Sequence, residues 1–147
     1  QVEVASGRIF SPGDVLFTKL RPYLAKAFLA KEAGICSGEL LVLEPKLFRP
    51  RYLLLLLLTK GFIDTVDSST YGAKMPRASW EFIGNMVVPL PPAHEQKRIC
   101  QSIDHKTKRI DALREKIQQS IELLQEYRSA LISAAVTGQI DVREEVV

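Results

Sequence analysis

The sequence is poor in the side chains that chemistry on small substrates demands. Its two histidines, His94 and His105, fall in a stretch of helical periodicity, where a solvent-facing position is the ordinary reading. Its two cysteines, Cys36 and Cys100, lie far apart without metal-ligand spacing and read as reduced thiols of a cytoplasmic protein. A glycine-rich phosphate loop, a Gly-x-Ser-x-Gly turn and paired Cys/His spacing are all missing. No carboxylate pair stands out from ordinary surface charge. No cofactor or metal is therefore expected, and binding is a better class of reading than catalysis. Long apolar runs are lacking too. The longest, Leu53–Leu58, is six residues, far short of the ~20 that span a bilayer, and the polar start does not read as a signal peptide. The chain opens at Gln1 without an initiator Met and enters a strand-like pattern almost at once. That opening reads as a fragment, a processed chain or one piece of a split protein.

What the sequence does have is a sustained seven-residue repeat in its C-terminal third. Ile103, Ile110, Ile117, Leu124 and Leu131 form an unbroken apolar column. An offset column carries Ile99, Lys106, Leu113, Ser120, Tyr127 and Ala134. This repeat marks a long helix that packs along another helix in a left-handed coil. Pro91-Pro92 suits its entry, Glu95 suits its positive end, and Gly138 suits its termination. A helix from about Ala93 to Val136 would be roughly 65 Å long at 1.5 Å per residue. The expected seam is Ile99, Ile103, Ile110, Leu113, Ile117, Leu124, Tyr127 and Leu131, edged by Arg109, Arg114, Glu115, Lys116 and Glu122. Lys106 and Ser120 interrupt it, as polar residues that set register do. Such a seam implies a partner helix.

The remaining residues suffice for one small domain. Val15–Thr18 reads as a buried strand after the turn residues Ser11-Pro12-Gly13-Asp14, and Ala25–Ala30 as a second. Ile35–Glu44 reads as a third, interrupted at Ser37-Gly38. Pro50 opens a helix through Tyr52–Leu58, whose leucines lack the β-branching of a typical strand. Lys60-Gly61 ends or kinks that helix, and Phe62–Val66 extends it. Asp67–Arg77 is a polar loop, Ser79 caps a turn over Trp80–Ile83, and Asn85–Leu90 reads as a last strand. The fold class is α+β: a mixed domain over 1–92, a coiled-coil spacer helix over 93–138 and a tail over 139–147.

Charge is mild overall, a formal +3, but uneven. Residues 1–92 hold eleven Lys/Arg against eight Asp/Glu, and residues 93–147 nine against nine. Two stretches of the basic part have the make-up of phosphate or base contacts. One carries Lys19, Arg21, Tyr23 and Lys26; the other places Lys74 and Arg77 among hydroxyls. Lys and Arg neutralise phosphate, and Arg also pairs bidentately with guanine. The plain alternative is that both are solvated faces of a small domain.

Three blocks, in order, resemble the specificity subunit of type I restriction–modification systems. They are Gly13-Asp14-Val15-Leu16-Phe17-Thr18-Lys19-Leu20-Arg21-Pro22-Tyr23, then Val88-Pro89-Leu90-Pro91-Pro92-Ala93-His94-Glu95-Gln96-Lys97-Arg98-Ile99, and Glu126-Tyr127-Arg128 running on to Gly138 and Arg143. The resemblance implies a subunit that catalyses nothing. It implies target recognition domains that each read half of a split double-stranded DNA site, held apart by antiparallel helices on which methyltransferase subunits dock and a restriction subunit joins. Whole subunits of this kind have two recognition domains and two long helices. This chain, with one of each and no opening portion of the recognition domain, corresponds to a C-terminal portion or a separately supplied half. The antiparallel partner helix would come from a second copy or from the missing half. The competing reading is a coiled-coil assembly adaptor whose basic domain binds protein.

Overall fold

The computed structural model describes residues 7–72 and 74–140. The strand-like start before Gly7 and the end of the third block, Asp141–Arg143, lie outside the described residues. The chain divides into two compact units, residues 1–102 and 103–147.

The first unit is an α+β fold around β2 (Val15–Thr18), whose four residues are all buried. It is the middle strand of an antiparallel sheet between β3 (Ala27–Leu29) and β5 (Leu40–Leu43). Phe17 sits opposite Ala27 on one side and Leu41 on the other. A separate ribbon pairs β1 (Arg8–Phe10) with β4 (Gly34–Cys36). A Cβ at Gly34 would lie 2.7 Å from the tip of the Phe10 ring, so any larger residue there would make that ring move. The stretch expected as one interrupted strand over 35–44 is thus two strands in two sheets. The turn at Ser37, whose carbonyl accepts from the Leu40 N–H, separates them.

The leucine run forms α1 (Pro50–Leu57), with Pro50 in its first turn. Thr59 then caps α2 (Lys60–Ser68) by accepting from the Phe62 N–H, so the chain starts a new helix rather than extending the old one, and Asp67-Ser68, expected in the polar loop, close its last turn. Leu53, Leu54 and Leu57 of α1 and Phe62, Ile63 and Val66 of α2 join Val15, Phe17 and Leu41 in the core. Phe17 meets Phe62 edge to face, ring centres 5.7 Å apart. Ser79 caps α3 (Trp80–Gly84), as its position before an apolar turn predicts.

Asn85–Leu90 is not a strand. Its alternation is real, with Met86 and Val88 packed on the core and Val87 fully exposed. However, the segment has no ladder partner among the described residues, and Pro89, Pro91 and Pro92 remove donors that a ladder needs. Alternation reports which side chains face the core, not whether the backbone is paired.

The long helix α4 runs over Ala93–Val136, 44 residues. Its first turns belong to the first unit. There Gln96, only 1% exposed, accepts from the Arg49 N–H at 2.6 Å and donates to the carbonyls of Pro91 (2.9 Å) and Leu47 (3.3 Å). The helix ends on Gly138 at φ +74°, with the Gln139 N–H bonded to the Ala134 carbonyl and the Gly138 N–H to that of Ala135. These are the two bonds of a Schellman termination.

Candidate nucleic-acid interface

The two basic stretches meet. Beyond Thr18 the backbone of β2 continues through Lys19, Leu20 and Arg21. On one side the Lys19 N–H donates to the Glu39 carbonyl at 2.9 Å. On the other, the Ala78 N–H donates to the Lys19 carbonyl (2.9 Å) and the Arg21 N–H to the Pro76 carbonyl (2.8 Å). Leu20 and Arg77 form the antiparallel bridge between them. Tyr71 and Arg77 exchange a further pair of backbone bonds, which closes a loop carrying Lys74 and Gly72, the latter at φ +90°.

Arg21 has φ +51°, and Ala25 has φ +49°. Left-handed backbone is costly for residues with a Cβ, by roughly 1–2 kcal/mol each. Pro22 explains part of it, because it disfavours the right-handed helical region for Arg21. Between the two lies a 3-10 turn, Pro22–Leu24, with Pro22 buried and Tyr23 about half exposed. Arg21, Lys26 and Lys74 are exposed and Lys19 partly so. Lys26 lies on the β3 side, where its carbonyl accepts from the Thr18 N–H. Lys19, Arg21, Lys74 and Arg77 are therefore gathered by the continuation of β2, with Tyr23 and Lys26 on the turn that follows it.

Arg77 is not a loose cation. Its Nε donates to both carboxylate oxygens of Glu39 (3.3 and 3.2 Å), and its Nη2 donates to Oε1 at 3.2 Å. The bonds hold the Glu39 carboxyl below its ordinary range; burial opposes them, and the charges of Arg77 and Lys19 add smaller effects in the same lowering direction. They raise Arg77 further above its already high value. Glu39 carries no motif that would single it out in the sequence; only the turn at Ser37 brings it here. Gln96 was likewise legible only as part of a helix start, although it holds three backbone groups.

Among the described residues no three His, Cys, Asp or Glu side chains cluster as a metal site, and no helix is long and apolar enough to cross a membrane. An apolar cleft of about 380 Å³ opens between Phe48, Leu56, Trp80, Met86 and Val88, with Glu44 its one charged lining residue. In the second unit the expected seam is bare. Ile110, Leu113, Ile117, Leu124, Tyr127 and Leu131 are 45–66% exposed. Ile103 is partly buried, while Ile99, within the first unit, is 38% exposed. His94 and His105 are both exposed.

A small α+β unit with a basic strand continuation, together with one long helix bearing an apolar column, defines a two-part module of sheet domain and coiled-coil helix. Residues 4–123 match the family model of the type I restriction modification DNA specificity domain, and the chain belongs to that family. It is 22% identical over 131 residues to the type I restriction enzyme EcoDI specificity subunit of Escherichia coli, covering 89% of this chain and 29% of that protein. Against the EcoBI specificity subunit of the same organism it is 28% identical over 80 residues, 54% of this chain and 17% of the relative. Among solved structures, the HsdS subunit from Thermoanaerobacter tengcongensis superimposes with a TM-score of 0.64 at 27% identity, over 79% of this chain and 32% of that one. A chain from a structure on complex assembly and conformational transition of the type I R-M system gives 0.72 at 22% identity, over 99% and 38%. The chain thus spans less than a third of the EcoDI and EcoBI subunits it matches.

Proposed function

We propose that the chain is a non-catalytic DNA-recognition module of a cytoplasmic type I restriction–modification complex, reading one half of a bipartite double-stranded target. Residues 1–92 form the recognition region, and 93–138 the spacer helix on which methyltransferase subunits dock, with the restriction subunit joining the assembly. The observation that carries this reading is the Leu20–Arg77 bridge. It sets Lys19 and Arg21, on the continuation of β2, beside Arg77 and the loop that carries Lys74, which come from a distant stretch. The bridge brings two basic stretches side by side, with Arg77 bonded to the single carboxylate of Glu39 and Lys19 near it, a composition suited to a polyanion. Tyr23 and Lys26, exposed on the turn that follows, are further candidates. The bare helix column supports an antiparallel helix partner, supplied by a second copy or by the other half of a whole subunit.

The test is an anisotropy titration of the full chain with mixed-sequence duplex DNA across a range of salt. Binding that weakens linearly in log salt is expected, and Arg21→Ala or Lys74→Ala should each lower the slope by about one. Salt-insensitive or absent binding would favour the second reading, a coiled-coil assembly adaptor whose basic domain meets protein. The exposed seam is what keeps that reading alive.

A further inference from the structure

A cation meant only for phosphate gains nothing from a carboxylate at 3.2 Å, which repels the same ligand. The Glu39–Arg77 pair therefore calls for another account. A guanidinium has five N–H groups arranged in two usable forks, one along the side through Nε and Nη2, and one end-on through Nη1 and Nη2. Glu39 fills the side fork. The end-on fork keeps both Nη1 hydrogens and the second hydrogen of Nη2, and among the described residues Nη1 has no acceptor. The side chain is 39% exposed, and that of Glu39 40%. The backbone of Arg77 is held on both edges, by Leu20 and by Tyr71, so root and head of the side chain are both fixed. A phosphate takes a fork too, but its oxygens accept from many directions and set no single plane for it. Fixed orientation is what a planar base edge with two acceptors at set positions requires.

The geometry points to Arg77 as a base-reading residue that takes the N7 and O6 acceptors of a guanine through its end-on fork, with Glu39 as the positioning residue that holds the fork in plane. This rests on the DNA-recognition reading above and names the base class that one part of the site selects. Lys19, close enough to lower the Glu39 carboxyl, keeps the pair's surroundings positive so that the carboxylate does not expel the backbone.

The experiment is binding-site selection with the full chain on duplexes carrying a randomised central segment. It is followed by replacement of each selected guanine by 7-deazaguanine, which keeps base pairing and lacks N7. Wild type should enrich a sequence with one guanine whose 7-deaza form binds about tenfold more weakly. Arg77→Lys keeps the charge and the backbone bridge, and should lose preference and 7-deaza sensitivity at that position alone. Glu39→Gln should blunt the same preference without changing the salt slope. Indifference of wild type to 7-deazaguanine at every selected position overturns the assignment, even if a variant fails to fold. An unchanged selected sequence with a lower salt slope in Arg77→Ala makes Arg77 a phosphate contact instead. A full guanine preference in Glu39→Gln reduces Glu39 to a structural tie. If wild type enriches no sequence and shows no salt-dependent binding, the DNA reading itself falls, an outcome separate from the others.

Discussion

Two side chains, Gln96 and Glu39, hold together backbone segments that the chain separates widely. Gln96 is the costlier to lose. Replacing it by Ala would leave the Arg49 N–H and two part-buried carbonyls without the partner that Gln96, itself 1% exposed, supplies. Each buried polar group left unpaired costs about 1–3 kcal/mol, and local relaxation recovers part of the sum. Gln96→Ala should therefore destabilise the first unit by about 3 kcal/mol in denaturant unfolding. Gln96→Glu can still accept from Arg49 but presents an anion to two carbonyl oxygens, so its loss should be partly restored by acid. Glu39 is a surface pair, and its worth is correspondingly small. Its folded pKa lies below the unfolded value, so the stability it contributes is present above the unfolded value and is lost as pH falls through the folded one. Below the ~4.3 of an ordinary glutamate, wild type should lose stability more steeply than Glu39→Gln. A series of unfolding curves at decreasing pH measures the difference.

At the scale of elements, α4 poses the energetic question. Six seam side chains between Ile110 and Leu131 are 45–66% exposed, and burying a Leu or Ile contributes about 1.5–3 kcal/mol. Ser120, one of the two polar interruptions, satisfies its hydroxyl on the Lys116 carbonyl of its own helix at 3.0 Å, so it needs nothing from a partner. Ile121 and Leu123, outside the two heptad columns, widen the apolar face to 43% and 65% exposed positions beside Leu124. If a second helix covers this face, Ile117→Asp with Leu124→Asp should weaken association by at least about 3 kcal/mol, more than a hundredfold in Kd. Sedimentation over a micromolar range reads this directly. Wild type that stays strictly monomeric there would rule out a second copy as the partner.

For the whole molecule, the proposed spacer role makes helix length a functional quantity. Deleting Ile110–Lys116 removes one heptad and keeps the seam in phase. It should leave unfolding of the first unit unchanged while shifting, by about 10 Å of helix rise, the half-site spacing that an assembled complex accepts. Selection of spacer variants with the methyltransferase subunits present would show it. Much of this architecture was readable in advance because its signals are local. A 44-residue helix with a proline entry and a glycine exit, a leucine run without β-branching, and serine before an apolar turn each act within a few residues along the chain. The basic stretches were visible as composition in the same way. Their meeting was not, and neither were the roles of Glu39 and Gln96, because these depend on backbone pairings across long sequence separations. The strand predicted at Asn85–Leu90 failed for the same reason: alternation is a property of one segment, whereas a ladder needs a second one. The sequence by itself determined the long helix with its entry and exit, which side chains are apolar and where positive charge lies. Only the tertiary structure decided which charges share a surface and which carboxylate orients which guanidinium, since hydrogen bonding across distant segments depends on their placement in space and not on their order.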